Sequence, residues 1–404
     1  RDPKAIARGQ ILRMPCRVAR GQETHRLQVI RHRLHAGQSN GRLHGVLRGG
    51  LCRLLELWPP THAKDDRRMT QGNVDMTHGG GGRAMHDLIR DLFHKHLSNP
   101  VLDRGDDAGL VTLPGQRLVM STDGHVIAPL FFPGGDIGAL SVHGTVNDLA
   151  MMGAMPRYLT AGFILEEGFA LTDLERIVWS MANAAREADV QVISGDTKVV
   201  ERGKGDGVFI TTTGLGVVVD GVDLSVANVQ PGQAVLVSGT MGDHGVAVLS
   251  KRENLRFETE ILSDSAALHG LVADMLAAVP NIAMLRDPTR GGLAGTLNEI
   301  AAASGTGITL QEAQIPVAPD VAAACELLGL DPLNTANEGK LIAICPREDA
   351  ATLLDAMLVH PLGRNAAIIG ETTDDPAKLG QMKTHFGGTR IVDWLAGEQL
   401  PRIC

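Results

Sequence analysis

From residue 83 onward the chain alternates between helical and strand periodicity, and this alternation constrains its fold more than any other feature. Residues 83–97 carry Met85, Leu88, Ile89, Leu92, Phe93 and His96 at i, i+3, i+4 spacing and are predicted as an amphipathic helix, directly after His78-Gly79-Gly80-Gly81-Gly82. Residues 118–127 and 208–219 have strand composition, and Thr172-Asp173-Leu174-Glu175 is read as a capping box opening a helix to about residue 188. A strand over 190–193 is predicted to end in Ser194-Gly195-Asp196-Thr197. A polar, turn-rich link with Pro231-Gly232 occupies 221–232 and places a domain boundary there. Beyond it the alternation resumes: strand 234–237, the turn Ser238-Gly239-Thr240-Met241-Gly242-Asp243-His244-Gly245 and a helix, then helices over 265–278 and 293–303, strand 341–345, helix 348–358 and strand 366–369. The pattern predicts an α/β (α+β) protein with domains over 73–222 and 223–395. A tail follows over 396–404, where Pro401 forbids regular helix or central strand, so the tail is expected to be mobile and accessible.

Residues 1–68 read differently. They hold 15 Lys+Arg against 5 Asp+Glu, net +10, while residues 69–404 hold 23 against 41, net −18. Arg and His are scattered there without helical or strand period, and no apolar core of a secretory signal is present. A basic arm for nucleic acid or anionic membrane is one reading of 1–72. The composition fits better a disordered leader, or upstream sequence ahead of a start at Met69 or Met76. Aromatic residues make up 3% of the chain, too few for a reader of stacked bases, and no apolar run approaches the ~18 residues of a membrane span. Neither nucleic acid nor membrane is therefore an expected partner. The five cysteines, at 16, 52, 325, 345 and 404, form no CxxC pair, which disfavours structural zinc and a disulfide framework and suggests the reducing cytoplasm.

Aspartates set among small residues recur at the expected ends of elements: Asp106-Asp107, Asp123, Asp148, Asp196 and Asp243. One such residue alone is usually a turn former or cap. Five of them, with a glycine loop feeding a helix start, fit a site for Mg²⁺ and a nucleotide, because Mg²⁺ takes carboxylate and phosphate oxygens and backbone N–H groups at a helix start bind phosphate. Neither a P-loop nor a dinucleotide fingerprint is present. The sequence ends on Cys404, a nucleophile at the tip of the tail.

Several strings resemble the hydrogenase maturation HypE family: Thr77-His78-Gly79-Gly80-Gly81-Gly82-Arg83, Pro129-Leu130-Phe131-Phe132-Pro133-Gly134-Gly135-Asp136-Ile137-Gly138, Gly195-Asp196-Thr197-Lys198-Val199-Val200, Ser238 to Gly245, Asn337-Glu338-Gly339-Lys340 and Pro401-Arg402-Ile403-Cys404. The resemblance covers about residues 76–404. It implies a two-domain PurM-like ATP-binding fold, whose first domain lends strands to a barrel shared in a homodimer. It also implies a carbamoyl dehydratase. A HypF carbamoyltransferase would load Cys404, ATP would phosphorylate the amide oxygen of the S-carboxamide, and loss of phosphate would leave a thiocyanate. The cyano group would then pass to iron on a HypC–HypD scaffold. By the same resemblance Glu338 and Lys198 would deprotonate the nitrogen, or form a plain ion pair. Asp107, Asp123, Asp148, Asp196 and Asp243 would hold Mg²⁺ and phosphates, with Asn147 and Thr197 assisting, and His78, Gly79, Gly80, Gly81 and Gly82 would close over the nucleotide. Asp287 and Arg290 match a second-domain motif expected to pack the domains together. Gly124-His125 and His143 depart from the Ser-Tyr and Cys common in the family. A small-molecule kinase of the same superfamily and a non-catalytic scaffold are the competing readings.

Overall fold

Among the described residues the alternation of periods resolves into two large sheets flanked by helices, beside a small two-stranded one, Phe131–Phe132 with Gly135–Asp136. In the computed structural model, residues 72–79, 83–100, 115–255, 260–375, 377, 379–393 and 402–403 are described. Compact units divide the chain at 1–66 and 67–404, and all described residues lie in the second. Among the predicted site residues, Gly80, Gly81, Gly82, Asp107 and Cys404 lie outside the described residues.

The first sheet comprises β1 (Leu118–His125), β2 (Ala154–Glu166), β3 (Gln191–Val200) and β4 (Val208–Val218) in the order β1-β4-β2-β3. β4 runs antiparallel to both β1 and β2, and only β2 and β3 are parallel. Two helices, α1 (Ile137–Met151) and α2 (Leu171–Glu187), pack on one another. Their apolar residues join the inner residues of the strands in a core that includes Leu140, Val146, Leu159, Phe163, Ile177 and Ile210. Parallel strands need a crossover, and α2 supplies it between β2 and β3. The helix begins at Leu171 with Ala170 as its cap and no side-chain cap bond, so Thr172 lies inside the first turn, and the capping-box reading is corrected. The glycine-led helix is a run of three segments, Arg83–Leu88, a π-helical Ile89–His94 and Lys95–Leu97, with Leu88, Leu92 and Phe93 buried.

The second sheet has seven strands: β5 (Ala234–Val237), β6 (Met284–Arg286), β7 (Gly307–Gln311), β8 (Ile342–Cys345), β9 (Ala367–Thr373), β10 (Gly380–Lys383) and β11 (Thr389–Val392). Their order is β11-β10-β7-β9-β5-β8-β6, antiparallel throughout except for β7 with β10. The central strands β5 and β8 are buried along their whole lengths, which accounts for their uninterrupted apolar sequences. The flanking helices are α3 (Asp243–Arg252), α4 (His269–Ala278), α5 (Gly292–Ser304), α6 (Pro319–Leu328) and α7 (Ala350–Val359). Apolar residues before, within and after the link, among them Val218, Val222 and Leu236, pack in one cluster.

Two expectations are corrected. The helix predicted over 265–278 begins only at His269, because Ser263, Asp264 and Ser265 are held by side-chain hydrogen bonds in an extended segment. The tail was expected to be accessible, yet Ile403 is buried and the backbone of Arg402 is hydrogen-bonded at its carbonyl.

An acidic cleft between the two sheets

Strand alternation decides which aspartates can meet. Asp123 lies within β1 rather than at its end, in a cross-sheet row with Thr212, Ala161 and Gly195. The next row holds Gly124, Thr211, Gly162 and Asp196. Successive residues of a strand face opposite sides, so Asp196 stands on the other face of the sheet from Asp123. The strand predicted to stop before Asp196 instead continues to Val200, because β3 pairs with β2 through Glu166. Lys198, two residues on, shares the outer face and donates to Asp196 at 2.7 Å, which lowers the Asp196 pKa. Both side chains are exposed. The alternative reading of Glu338 and Lys198 as a plain ion pair is not met, because Lys198 pairs with Asp196.

On the inner side, the residues converge on a cleft of about 590 Å³ between the sheets, lined by Ser121, Asp123, Asp148, Arg286, Asp287, Arg290 and Glu338. Asp148 sits in the last turn of α1, and Ser121 Oγ donates to its Oδ2 at 2.6 Å. Gly144, one turn earlier on α1, lets the helix approach this wall: a Cβ there would lie 2.9 Å from Asp123 Oδ2 and 3.1 Å from His125 Cε1. His125 is buried directly under Asp123, 3.6 Å from its carboxylate, and burial keeps its pKa low.

The cleft concentrates acids. Burial, then the neighbouring Asp148, pushes Asp287 up to about 7. Glu338 is 3% exposed, and burial reinforced by Asp287, Asp264, Asp123 and Asp148 drives its pKa well above the usual carboxylate range. Its Oε1 has no hydrogen-bond partner among the described residues, an exception among buried polar atoms. The Glu338 backbone, by contrast, is pinned: its N–H donates to Asp264 Oδ1 at 3.0 Å and its carbonyl accepts from Asn147 Nδ2 at 3.1 Å. Gly339 permits this seat, since a Cβ there would lie 1.8 Å from the Asp264 carbonyl oxygen.

The remaining predicted residues stand apart from the cleft. Asn147 is buried, and its amide bonds the backbones of Ala266, Leu268 and Glu338, so it ties α1 to the second sheet's loops. Asp243 opens α3, accepts from Thr240 and lies 3.9 Å from Lys340, which also reaches Asp264 at 3.3 Å. Thr197 is buried on the inner side of β3. His78 is buried in the turn Met76–Gly79, its Nδ1 accepting from the Asp75 N–H at 3.1 Å, and that turn packs against β3. His143 contacts Ser265 Oγ at 2.9 Å, and burial pushes it down to about 4. Cys325 and Cys345 are buried, which pushes their thiols up to about 11 and about 12 and leaves them unreactive. Sequence reasoning missed Asp264 altogether. It gave Asp287 and Arg290 a packing role, whereas both line the cleft; their clustering in Arg286-Asp287-Pro288-Thr289-Arg290 was the available signal.

No three His, Cys, Asp or Glu side chains among the described residues are arranged to hold a metal ion by themselves. Mg²⁺ needs only one or two carboxylates when phosphates and waters complete its shell. Burial, reinforced by neighbouring carboxylates, raises the pKa values of Asp148 and Asp287, and a hard cation would relieve that crowding of charge, so the cleft fits Mg²⁺ with a phosphorylated ligand.

Two sheets of this order around an acidic cleft define the class. Residues 105–218 match the AIR synthase related protein family, N-terminal domain, and residues 230–381 match its C-terminal domain, so the chain is an AIR synthase-related protein. It is 65% identical over 334 residues to the carbamoyl dehydratase HypE of Cupriavidus necator, covering 82% of this chain and 95% of that protein. A crystal structure of hydrogenase maturation protein HypE in complex with ATP aligns with a TM-score of 0.79 at 50% identity, over 82% of this chain and 99% of that one. The HypE chain of a HypE–HypF complex aligns with a TM-score of 0.68 at 48% identity, over 76% and 99%. The chain belongs to the HypE family of carbamoyl dehydratases. Among the described residues no helix is long and apolar enough to cross a membrane.

Proposed function

We propose that this protein is an ATP-dependent carbamoyl dehydratase of hydrogenase maturation, converting an S-carboxamide on Cys404 to a thiocyanate. The observation that carries this reading is Glu338: a buried carboxyl with a raised pKa and an unpartnered oxygen, facing a cleft suited to Mg²⁺ and phosphates. The family relationship and the HypE–ATP structure support ATP as the phosphoryl donor.

The chemistry explains why such a group is needed. Amide oxygen is a poor leaving group. Its attack on the terminal phosphoryl group forms a C–O–P linkage and releases ADP, and the nitrogen gives up one proton as C=N forms. Loss of the second N–H proton, with cleavage of the C–O bond, expels phosphate and leaves C≡N. Glu338 takes protons from the nitrogen, and a pKa raised toward the working pH makes its carboxylate a stronger base than an ordinary one. Asp123 and Asp148 would hold Mg²⁺, which would supply charge neutralisation at the phosphoryl oxygens. Arg286 and Arg290, at the cleft wall, orient those oxygens. By family resemblance Asp107 and Asp243 are assigned to Mg²⁺ and phosphates, and Gly80, Gly81 and Gly82 to the nucleotide.

Lys198 and Asp196 work from the outer face of the first sheet. That face carries exposed Leu118, Met120 and Ile164, an apolar surface that a homodimer covers. Lys198 and Asp196 then lie at the junction of two copies. The HypE–HypF structure supports HypF as the partner that supplies the carbamoyl group. By family resemblance, a HypC–HypD scaffold receives the cyano group on iron. The domains divide at 222/223.

Phosphate release tests the assignment. Protein carrying the carbamoyl group releases about one phosphate from ATP per chain in a single turnover, and Cys404→Ala releases none above background. Release by Cys404→Ala at the full rate would instead show that phosphate is expelled without the tail, which the dehydratase reading does not allow.

A further inference from the structure

The end of the chain is seated in a specific receptor. Arg402 and Ile403 are held by hydrogen bonds from three separate parts of the fold. The Ile403 carbonyl accepts from His244 Nε2 at 2.8 Å, and the Ile403 side chain is buried in the first core cluster. The Arg402 carbonyl accepts from Arg252 at 2.7 Å and from the Ala128 N–H at 3.2 Å. The Arg402 guanidinium donates to the Val126 carbonyl at 3.0 Å and pairs with Asp206.

The His244 contact leads back to the cleft. A carbonyl oxygen can only accept, so Nε2 carries the proton. In the neutral ring Nδ1 then accepts from the Ser263 hydroxyl, 2.8 Å away, while Ser263 Oγ accepts from the Ser265 N–H at 3.1 Å. The intervening Asp264 accepts from the Glu338 N–H. The segment 263–265 thus holds the tail's histidine through one residue and the backbone of Glu338 through the next. The His244 ring is itself fixed edge-on against Phe132, with centroids 5.4 Å apart.

We propose that His244 is the positioning residue that registers the tail for dehydration, with Arg252 and Asp206 completing the receptor. It acts through the Ile403 carbonyl and touches no reacting atom. Consecutive Cα atoms are about 3.8 Å apart, so fixing Ile403 limits where the next residue's thiol can reach. The inference rests on the dehydratase reading and adds to it a receptor that distinguishes the dehydration step from loading.

The test uses the full-length protein with HypF, carbamoyl phosphate and Mg-ATP, and follows intact mass over time. In His244→Leu, ATP-dependent loss of water from the carbamoylated chain slows about tenfold relative to the rate of loading, the effect of one lost hydrogen bond to a docked segment. His244→Gln, which keeps an N–H donor, recovers most of that ratio. Asp206→Asn, at an exposed position, changes the ratio in the same direction. As a readout independent of activity, carboxypeptidase releases the terminal residues of His244→Leu and Asp206→Asn faster than those of the wild type. An unchanged ratio together with unchanged carboxypeptidase release would overturn the receptor. Failure of the wild type to form any adduct or lose water would overturn the dehydratase reading itself.

Discussion

Glu338 combines three properties that rarely coincide in a resting protein: burial, a backbone fixed on both sides and an oxygen without a partner. Removing its charge tests its role and its cost separately. Glu338→Gln keeps the shape and lowers the rate of water loss by about 10²–10⁴-fold, the range for a positioned general base. Stability should move the other way. A carboxyl whose pKa is raised by folding binds its proton more tightly in the folded state, so its contribution is fully present below the unfolded value. That contribution is lost as pH rises through the folded value. Asp287, raised to about 7, and Glu338, raised further above the carboxylate range, therefore make the wild type lose stability between about pH 4 and pH 7 and beyond. The Gln variant lacks one of these acids, and thermal melts should show a smaller fall across that window. A fall as steep as the wild type's would mean that Glu338 is not desolvated in the folded protein.

At the level of elements, the positions of strands and helices were legible because the chain changes period where its structure changes. β5 was placed to the residue, while its partners shifted by one to four residues at their ends. Less of the site was legible, and β3 shows why. The sequence Ser194-Gly195-Asp196-Thr197 has the small residues of a strand end, yet pairing with β2 carries the strand through it to Val200. Asp196 and Asp123 looked equivalent by composition, and only cross-strand register puts them on opposite faces. Asp264 gave no sequence signal because its role depends on a neighbour 74 residues away, Glu338. The outer face of the first sheet makes its own prediction. With Met120 exposed on β1 and Ile164 exposed next to Lys198, it is an apolar surface that the proposed homodimer would cover. Sedimentation equilibrium should give twice the 42.8 kDa chain mass, and Met120→Asp with Ile164→Asp should shift the protein toward monomer. A wild type at the monomer mass would remove the dimer from the account.

In the whole molecule, two sheets form an acidic cleft, and the last described residues of the chain return to its supporting segment. The first sheet contributes Asp123 and Asp148's partner Ser121, the second contributes Arg286 at the end of β6, and the connecting loops contribute Asp287 and Glu338. The segment 263–265 links that cleft to the docked Ile403 through His244. Such an arrangement makes sense if the tail itself carries the substrate. Intact-mass spectrometry of the protein with HypF, carbamoyl phosphate and Mg-ATP, beside Cys404→Ala, tests this most directly. The account predicts an adduct of about 43 Da on Cys404 that falls by about 18 Da only when ATP is present, and no adduct on the variant. ATP turnover without any change of mass at Cys404 would contradict it.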